Sequence, residues 1–250
     1  MRPLLARQPL AVLSDIDGTL APIVSNPDRA RVTARANNAL HALADRGVRI
    51  GFVTGRSLDA ARTMIDVPDA YYAANHGLTL FIDGEAQTAA EVAPFVELVR
   101  QAIAEIGGIN VPGVLIEDKG PIVALHYRMA ASEADAVAAI ESAIAGSPAA
   151  RGFTIHHGRK VIELRPPLPL NKGTAATSLL DRITPAAVIC LGDDVTDIDM
   201  FRAVQASGIP SAVIAVANDE ETGVMEAAEY FVRGVEGVER LLEQVLTAIP

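Results

Sequence analysis

The chain has 250 residues, half of them apolar, and a formal net charge of −10. It can bury a substantial core, and a nucleic-acid partner is excluded because phosphate backbones are gripped by basic surfaces. No apolar stretch approaches the ~18–20 residues that cross a bilayer, and Arg7 and Gln8 interrupt any leader-like segment, so a soluble, cytoplasmic protein without a membrane partner is expected.

Leu10 to Ser14 reads as a buried strand that breaks into Asp15-Ile16-Asp17-Gly18-Thr19-Leu20. Side chains two apart on an extended segment point the same way, so both carboxylates face one spot. Such a pair either binds a cation or splits its pKa values. Gly18 allows the chain to turn and its backbone to come close to a bound group. A helix is expected from about Arg31 to Arg46, with Val32, Ala36, Leu40 and Leu43 at helical spacing. A second buried strand, Val48 to Val53, ends at Thr54-Gly55-Arg56-Ser57 before another helix through Ile65. A third, Tyr71 to Ala74, ends at Asn75-His76-Gly77, and a hairpin turns at Asp83-Gly84. Alternating strands and helices predict a parallel sheet whose strand ends share one edge, bringing Asp15 and Thr54 together.

From about residue 89 to 164 the pattern changes to αββαββ: a small sheet with helices on one face, inserted into the larger domain formed by residues 1–88 and 165–250. Its two helices run from about Ala89 to Gly107 and from a Ser132/Asp135 capping pair onward. Alternation buries Ile116, Val123, Leu125, Tyr127, Ile162 and Leu164 and turns Glu117, Lys119, His126, Arg128 and Glu163 to the other side. That side is either an ordinary wet face or a polar lid suited to a ligand with many hydroxyls.

The larger domain resumes at Lys172-Gly173-Thr174, which opens a helix. Ala186 to Leu191 is a buried strand running into Gly192-Asp193-Asp194-Val195-Thr196-Asp197-Ile198-Asp199, and Cys190 within it reads as a reduced core thiol. Thr196 and Asp199 have capping-box spacing for the next helix. A strand from Ala212 to Val216 and a helix from about Val235 to Leu246 complete the layer.

Asp15/Asp17, Thr54, Lys172 and Asp193/Asp194/Asp197 thus gather at one sheet edge, the set that phosphoryl transfer through an aspartyl-phosphate requires. Asp15 would attack phosphorus, and Asp17 would protonate the leaving alkoxide and later take a proton from water. Thr54 would hold the phosphoryl oxygens, and Lys172 would neutralise charge. Mg²⁺ is the expected cofactor, with Asp15, Asp193 and the carbonyl at Asp17 as ligands. Asp194 and Asp197 are further candidates that could instead support the ligands or cap a helix. Arg56 is read as structural or as a support for the phosphate loop, and His76 could touch substrate or satisfy nearby backbone.

Asp15-x-Asp17-Gly18-Thr19, Thr54 after a strand, Lys172 and Gly192-Asp193-Asp194-x-x-Asp197 resemble, in order and context, the four motifs of the haloacid dehalogenase superfamily. Within it, Asp17 to Ile23, Val53-Thr54-Gly55-Arg56, Asn75-His76-Gly77 and Gly192 to Asp197 are similar to the blocks of the trehalose-6-phosphate phosphatase family. The resemblance covers nearly the whole chain. It implies a Rossmann-like α/β core with an inserted αββαββ cap, and Mg²⁺-dependent release of phosphate from trehalose 6-phosphate, with the lid closing over the disaccharide. It also implies that Glu117, Lys119 and Glu163 contact the sugar; Gly55, Arg56, His76 and Arg128 are further candidate binding residues. Ile198 departs from the family, which usually has an acid there. Another sugar phosphate, a silent sugar-phosphate-binding domain and a receiver domain are the alternatives, although a receiver is about half this long. The expected partner is a small-molecule sugar phosphate, with functional association with the sugar-phosphate synthase left open; the chain is expected to be a monomer.

Overall fold

A computed structural model describes residues 2–24, 26, 29–65, 67–218 and 223–249. It contains two compact units, one from Met1–Val24, Arg29–Gln87 and Leu170–Pro250, the other chiefly from Thr88–Pro169. The first begins with a short helix α1 (Arg2–Leu5), then β1 (Leu10–Ser14), α2 (Ala34–Asp45), β2 (Arg49–Val53), α3 (Leu58–Met64), β3 (Tyr71–Ala74), β4 (Thr79–Ile82) and β5 (Glu85–Thr88). The second unit carries α4 (Ala93–Ile106), β6 (Leu115–Asp118), β7 (Val123–His126), α5 (Glu133–Gly146), β8 (Thr154–Gly158) and β9 (Val161–Arg165). The chain then returns through α6 (Lys172–Ile183), β10 (Ala187–Gly192), α7 (Asp197–Ala206), β11 (Ser211–Ala217), β12 (Tyr230–Arg233) and α8 (Gly234–Ala248).

The first unit is an eight-stranded sheet in the order β12-β11-β10-β1-β2-β3-β4-β5, parallel from β12 through β3 and antiparallel between β3 and β4. All five residues of β1 are buried, as a central parallel strand covered on both faces requires. Leu10 and Val12 pack with Leu40 and Leu43 of α2 and Val238 and Leu242 of α8. Ala11 and Leu13 pack on the opposite face with Leu179 and Leu180 of α6 and Met200 and Phe201 of α7. Cys190 is buried in that second layer as a free thiol, and burial pushes its pKa up, which leaves it protonated and inert. Among the described residues no helix is long and apolar enough to cross a membrane.

Two local expectations change. α2 starts at Ala34 rather than near Arg31, because Thr33 accepts a hydrogen bond from the Ala36 N–H and so fixes the first turn. Thr196 does not cap α7: it is already helical, and its side chain makes no capping bond. Asp197 Oδ2 instead accepts from the backbone N–H groups of Asp193 and Asp194, both at 3.0 Å.

The second unit has the expected αββαββ order, with a sheet ordered β6-β7-β9-β8. Val99 and Ile106 of α4 and Ile140 and Ile144 of α5 pack on Val123, Leu125, Ile162 and Leu164. On the other face the register lines up Glu117, Ala124, Glu163 and His156 across the four strands. That face is not uniformly wet. Glu163 is only 4% exposed, because Lys119 binds its Oε1 at 2.8 Å and Arg165 binds its Oε2 at 2.6 and 2.9 Å; a buried carboxylate needs such partners. Glu117 is within 2.8 Å of His126 Nε2, while Arg128 turns to donate to the Arg159 carbonyl at 2.9 Å.

Candidate active site

Three parallel strands deliver the site. Ser14 lies beside Leu191 of β10 and Phe52 of β2, and the Asp15 N–H donates to the Leu191 carbonyl at 2.9 Å. Continuing the register by one residue sets Asp15 next to Gly192 and Val53, so Asp193 and Thr54 lie one step further along adjacent strands. Apolar runs end here because the carboxylates must meet outside the sheet, where parallel strand ends form a crevice.

Two helix starts complete the set. Lys172 is the first residue of α6, whose start is fixed by a capping box: Asn171 Oδ1 accepts from the N–H groups of Gly173 (2.9 Å) and Thr174 (3.0 Å), and Thr174 Oγ1 accepts from the Asn171 N–H. Lys172 Nζ donates to Asp15 Oδ1 at 2.9 Å and to Asp197 Oδ1 at 2.7 Å. Carboxylate oxygens of Asp15, Asp193 and Asp197 lie within 4.8 Å of one another, all buried. This group of hard oxygen donors, with one ammonium against three acids, suits a divalent cation such as Mg²⁺.

The electrostatics show what the cluster lacks. Burial pushes the Asp15 carboxyl well above the usual carboxylate range; Lys172 pulls it back, and Asp197, Asp193 and Asp17 push it up again. Burial would lower the Lys172 ammonium, but Asp15 and Asp197 outweigh it and hold its pKa above the ordinary lysine value. Lys172 therefore stays charged, and a divalent cation among these carboxylates would favour ionised Asp15.

The candidate ligands separate by their bonds. Asp197 takes Lys172 on one oxygen and two backbone N–H groups on the other, while remaining one of the three acids whose oxygens cluster. Asp194 is not among the three clustered acids, and its Oδ1 takes the Val195 N–H at 2.7 Å. Asp193 is oriented by two residues that sequence reasoning left unassigned: Thr19 Oγ1 donates to its Oδ1 at 3.3 Å, and Asn218 Nδ2, just past β11, donates to its Oδ2 at 2.9 Å and to the Gly18 carbonyl at 3.2 Å. Gly18 has φ +81°, and a Cβ there would come within 2.0 Å of Asp193 Oδ2. The group Gly18 admits is thus a carboxylate of the protein itself.

Asp17 is bound through both oxygens by Arg56, Nε to Oδ2 at 2.6 Å and Nη2 to Oδ1 at 2.7 Å. Arg56, read as structural or phosphate-loop support and also named as a candidate binding residue, has its guanidinium on the candidate acid. Thr54 is buried, and its Oγ1 accepts from the Arg56 N–H at 3.2 Å. His76 adopts φ 57° and is buried, with its N–H donating to the Thr54 carbonyl at 2.9 Å. Its ring fills the space a Cβ on Gly55 would need, at 2.5 Å, so Gly55 makes room for the ring.

The family model for trehalose-phosphatase matches residues 13–236. A curated trehalose-phosphate phosphatase of Mycobacterium tuberculosis (strain H37Rv) is 35% identical over 254 aligned positions, covering 98% of this chain and 64% of that protein; the chain thus spans just under two thirds of such a relative. Among solved structures, a trehalose-6-phosphate phosphatase related protein superposes with TM-score 0.80 at 25% identity, covering 95% of this chain and 97% of that one. A haloacid dehalogenase-like hydrolase from Bacteroides thetaiotaomicron shares the fold, with TM-score 0.62 at 16% identity over 94% of this chain and 98% of that one. With the motif residues gathered at one sheet edge and the family model spanning nearly the whole chain, the protein belongs to the trehalose-phosphatase family.

Proposed function

We propose that the chain is a Mg²⁺-dependent phosphatase that releases phosphate from trehalose 6-phosphate through an aspartyl-phosphate on Asp15. The observation that carries this reading is Lys172 bridging Asp15 and Asp197 beside Asp193 in one buried cluster. Lys172 occupies Asp15 Oδ1, which leaves Oδ2 to attack phosphorus. The P–O ester bond breaks, and Asp17 gives a proton to the departing sugar oxygen. Water then attacks phosphorus, Asp17 takes its proton, and the bond to Asp15 breaks to restore the free carboxylate. Because Arg56 occupies both Asp17 oxygens, this pair must open for each proton transfer. Thr54 and Lys172 hold the phosphoryl oxygens. Asp15 and Asp193, with the Asp17 carbonyl, would hold Mg²⁺, whose charge offsets repulsion between the nucleophile and the anionic ester.

A panel of sugar phosphates assayed for phosphate release tests the substrate. Trehalose 6-phosphate should be preferred, with activity lost to chelator and restored by Mg²⁺; preference for another ester would move the assignment to that sugar. Asp15→Asn should lose turnover while still folding, as a cooperative thermal transition would show, and near wild-type turnover would remove the nucleophile from the scheme.

The second unit is proposed to recognise the sugar through Glu117, Lys119 and Arg128, with Glu163 holding Lys119 in place. Glu117→Ala is expected to lower kcat/KM for trehalose 6-phosphate by about tenfold or more, since a lost hydrogen bond to a polar substrate leaves its partner unpaired. A small aryl phosphate should be hardly affected. Equal losses on the two substrates would contradict the role.

A further inference from the structure

The two edges of the eight-stranded sheet differ in character. Edge strands usually carry polar or charged residues that discourage pairing with another chain, and β5, Glu85-Ala86-Gln87-Thr88, conforms, with all four residues exposed. The other edge, β12, instead presents Tyr230 and Phe231 at 48% and 58% exposure.

Its register says how that edge could be used. Ile214 lies beside Tyr230, Ala215 beside Phe231 and Val216 beside Val232, and the Glu229 N–H donates to the Val213 carbonyl at 3.0 Å. In a parallel strand alternate residues bond to opposite sides. Glu229, Phe231 and Arg233 therefore turn their main-chain groups toward β11, and Tyr230 and Val232 turn theirs outward. The side chains alternate as well, so Glu229, Phe231 and Arg233 share one face of the sheet. That stripe reads acid, aromatic, base, and its reverse is its own electrostatic complement. Glu229 and Arg233 are both exposed.

We propose that β12 is the contact of a twofold homodimer, in which a second copy of this chain pairs antiparallel with it about Phe231. With the axis at Phe231, Tyr230 lies opposite Val232 of the second copy. Those are the residues whose N–H and C=O groups face outward, so they form the hydrogen-bonded pairs of an antiparallel ladder. Glu229 then lies opposite Arg233 of the second copy, twice by symmetry, in the pair type that brings side chains closest. The two Phe231 rings meet at the axis. A self-complementary patch is what an isologous contact requires; a different partner strand would have no need to match this order of charges. This proposal departs from the expectation of a monomer.

Sedimentation velocity of the full chain, from micromolar to near-millimolar, tests this, with melting and phosphate release as controls for folding. Wild type should show a concentration-dependent monomer–dimer equilibrium. Glu229→Lys and Arg233→Glu each place two like-charge contacts across the axis and should each weaken association by about tenfold. The double variant Glu229→Lys/Arg233→Glu reverses both contacts and should recover association to within about threefold of wild type. A chain that stays monomeric throughout, single variants that associate like wild type, or a double variant no stronger than the singles would each overturn the proposal.

Discussion

Lys172 shows why single residues matter in this site more than their number suggests. Its side chain is 4% exposed, and its two partners, Asp15 and Asp197, are 6% and 0% exposed. Removing one member of such a buried set leaves uncompensated charge and costs about 3–5 kcal/mol, so the cluster holds together as a unit. Asp193 is held by neutral groups, Thr19 and Asn218, a suitable arrangement for a ligand that must keep its charge for a cation. Asn218→Ala is therefore expected to raise the Mg²⁺ concentration for half-maximal activity about 10–100-fold, while kcat at saturating Mg²⁺ changes little. A Mg²⁺ titration of phosphate release checks this, and an unchanged midpoint would reduce Asn218 to a loop residue. Asp15, Lys172 and Asp193 were legible in the sequence because their charges had no other reason to end apolar strands or open a helix. Asn218 was not, since an asparagine after a strand is ordinary turn chemistry.

Elements were legible where burial imposed a period. β1, β2 and β10 read as apolar runs because both faces are covered, and the second unit's strands betrayed themselves by alternation. β12 escaped notice because its four residues are too exposed to leave either pattern. The α7 cap was misread from spacing alone: Asp197 fits the start of the helix better because its second oxygen also serves Lys172. A different device joins α4 to the end of α5, where Glu105 Oε2 accepts from Ser147 Oγ at 2.5 Å and from the Ala149 N–H at 3.0 Å. The Ser147 bond, then the Ala149 bond, lower the Glu105 pKa from its ordinary 4.5, against a smaller opposing effect of burial. A carboxyl depressed on folding contributes stability present above its unfolded value and lost as pH falls through the folded one. Wild type should therefore lose stability more steeply than Glu105→Gln as pH drops below 4.5, read as urea midpoints across that range. Parallel curves would show that the clamp is not charge-dependent.

For the molecule as a whole, clustered acids in a chain of net charge −10 would make stability depend on a bound divalent cation. Burial, then the acids Asp197, Asp193 and Asp17, raise Asp15 above its ordinary 3.8 in spite of Lys172. A carboxyl raised on folding subtracts stability as pH rises from its unfolded value, here 3.8, through its folded one. Bound Mg²⁺ would favour the ionised carboxylate, so wherever Asp15 is protonated, metal uptake would release that proton. The Mg²⁺-induced rise in melting temperature should therefore grow from acid to neutral pH. At a free Mg²⁺ concentration about 100 times Kd, the stabilisation is about 2.7 kcal/mol, roughly 5–10 °C for a chain of this size. Asp15→Asn removes the titrating group while keeping its shape, so its Mg²⁺ shift should be smaller and flatter with pH. A thermal-shift series over pH with and without Mg²⁺ decides this: a wild-type shift that does not change with pH would mean that Asp15 exchanges no proton for the metal.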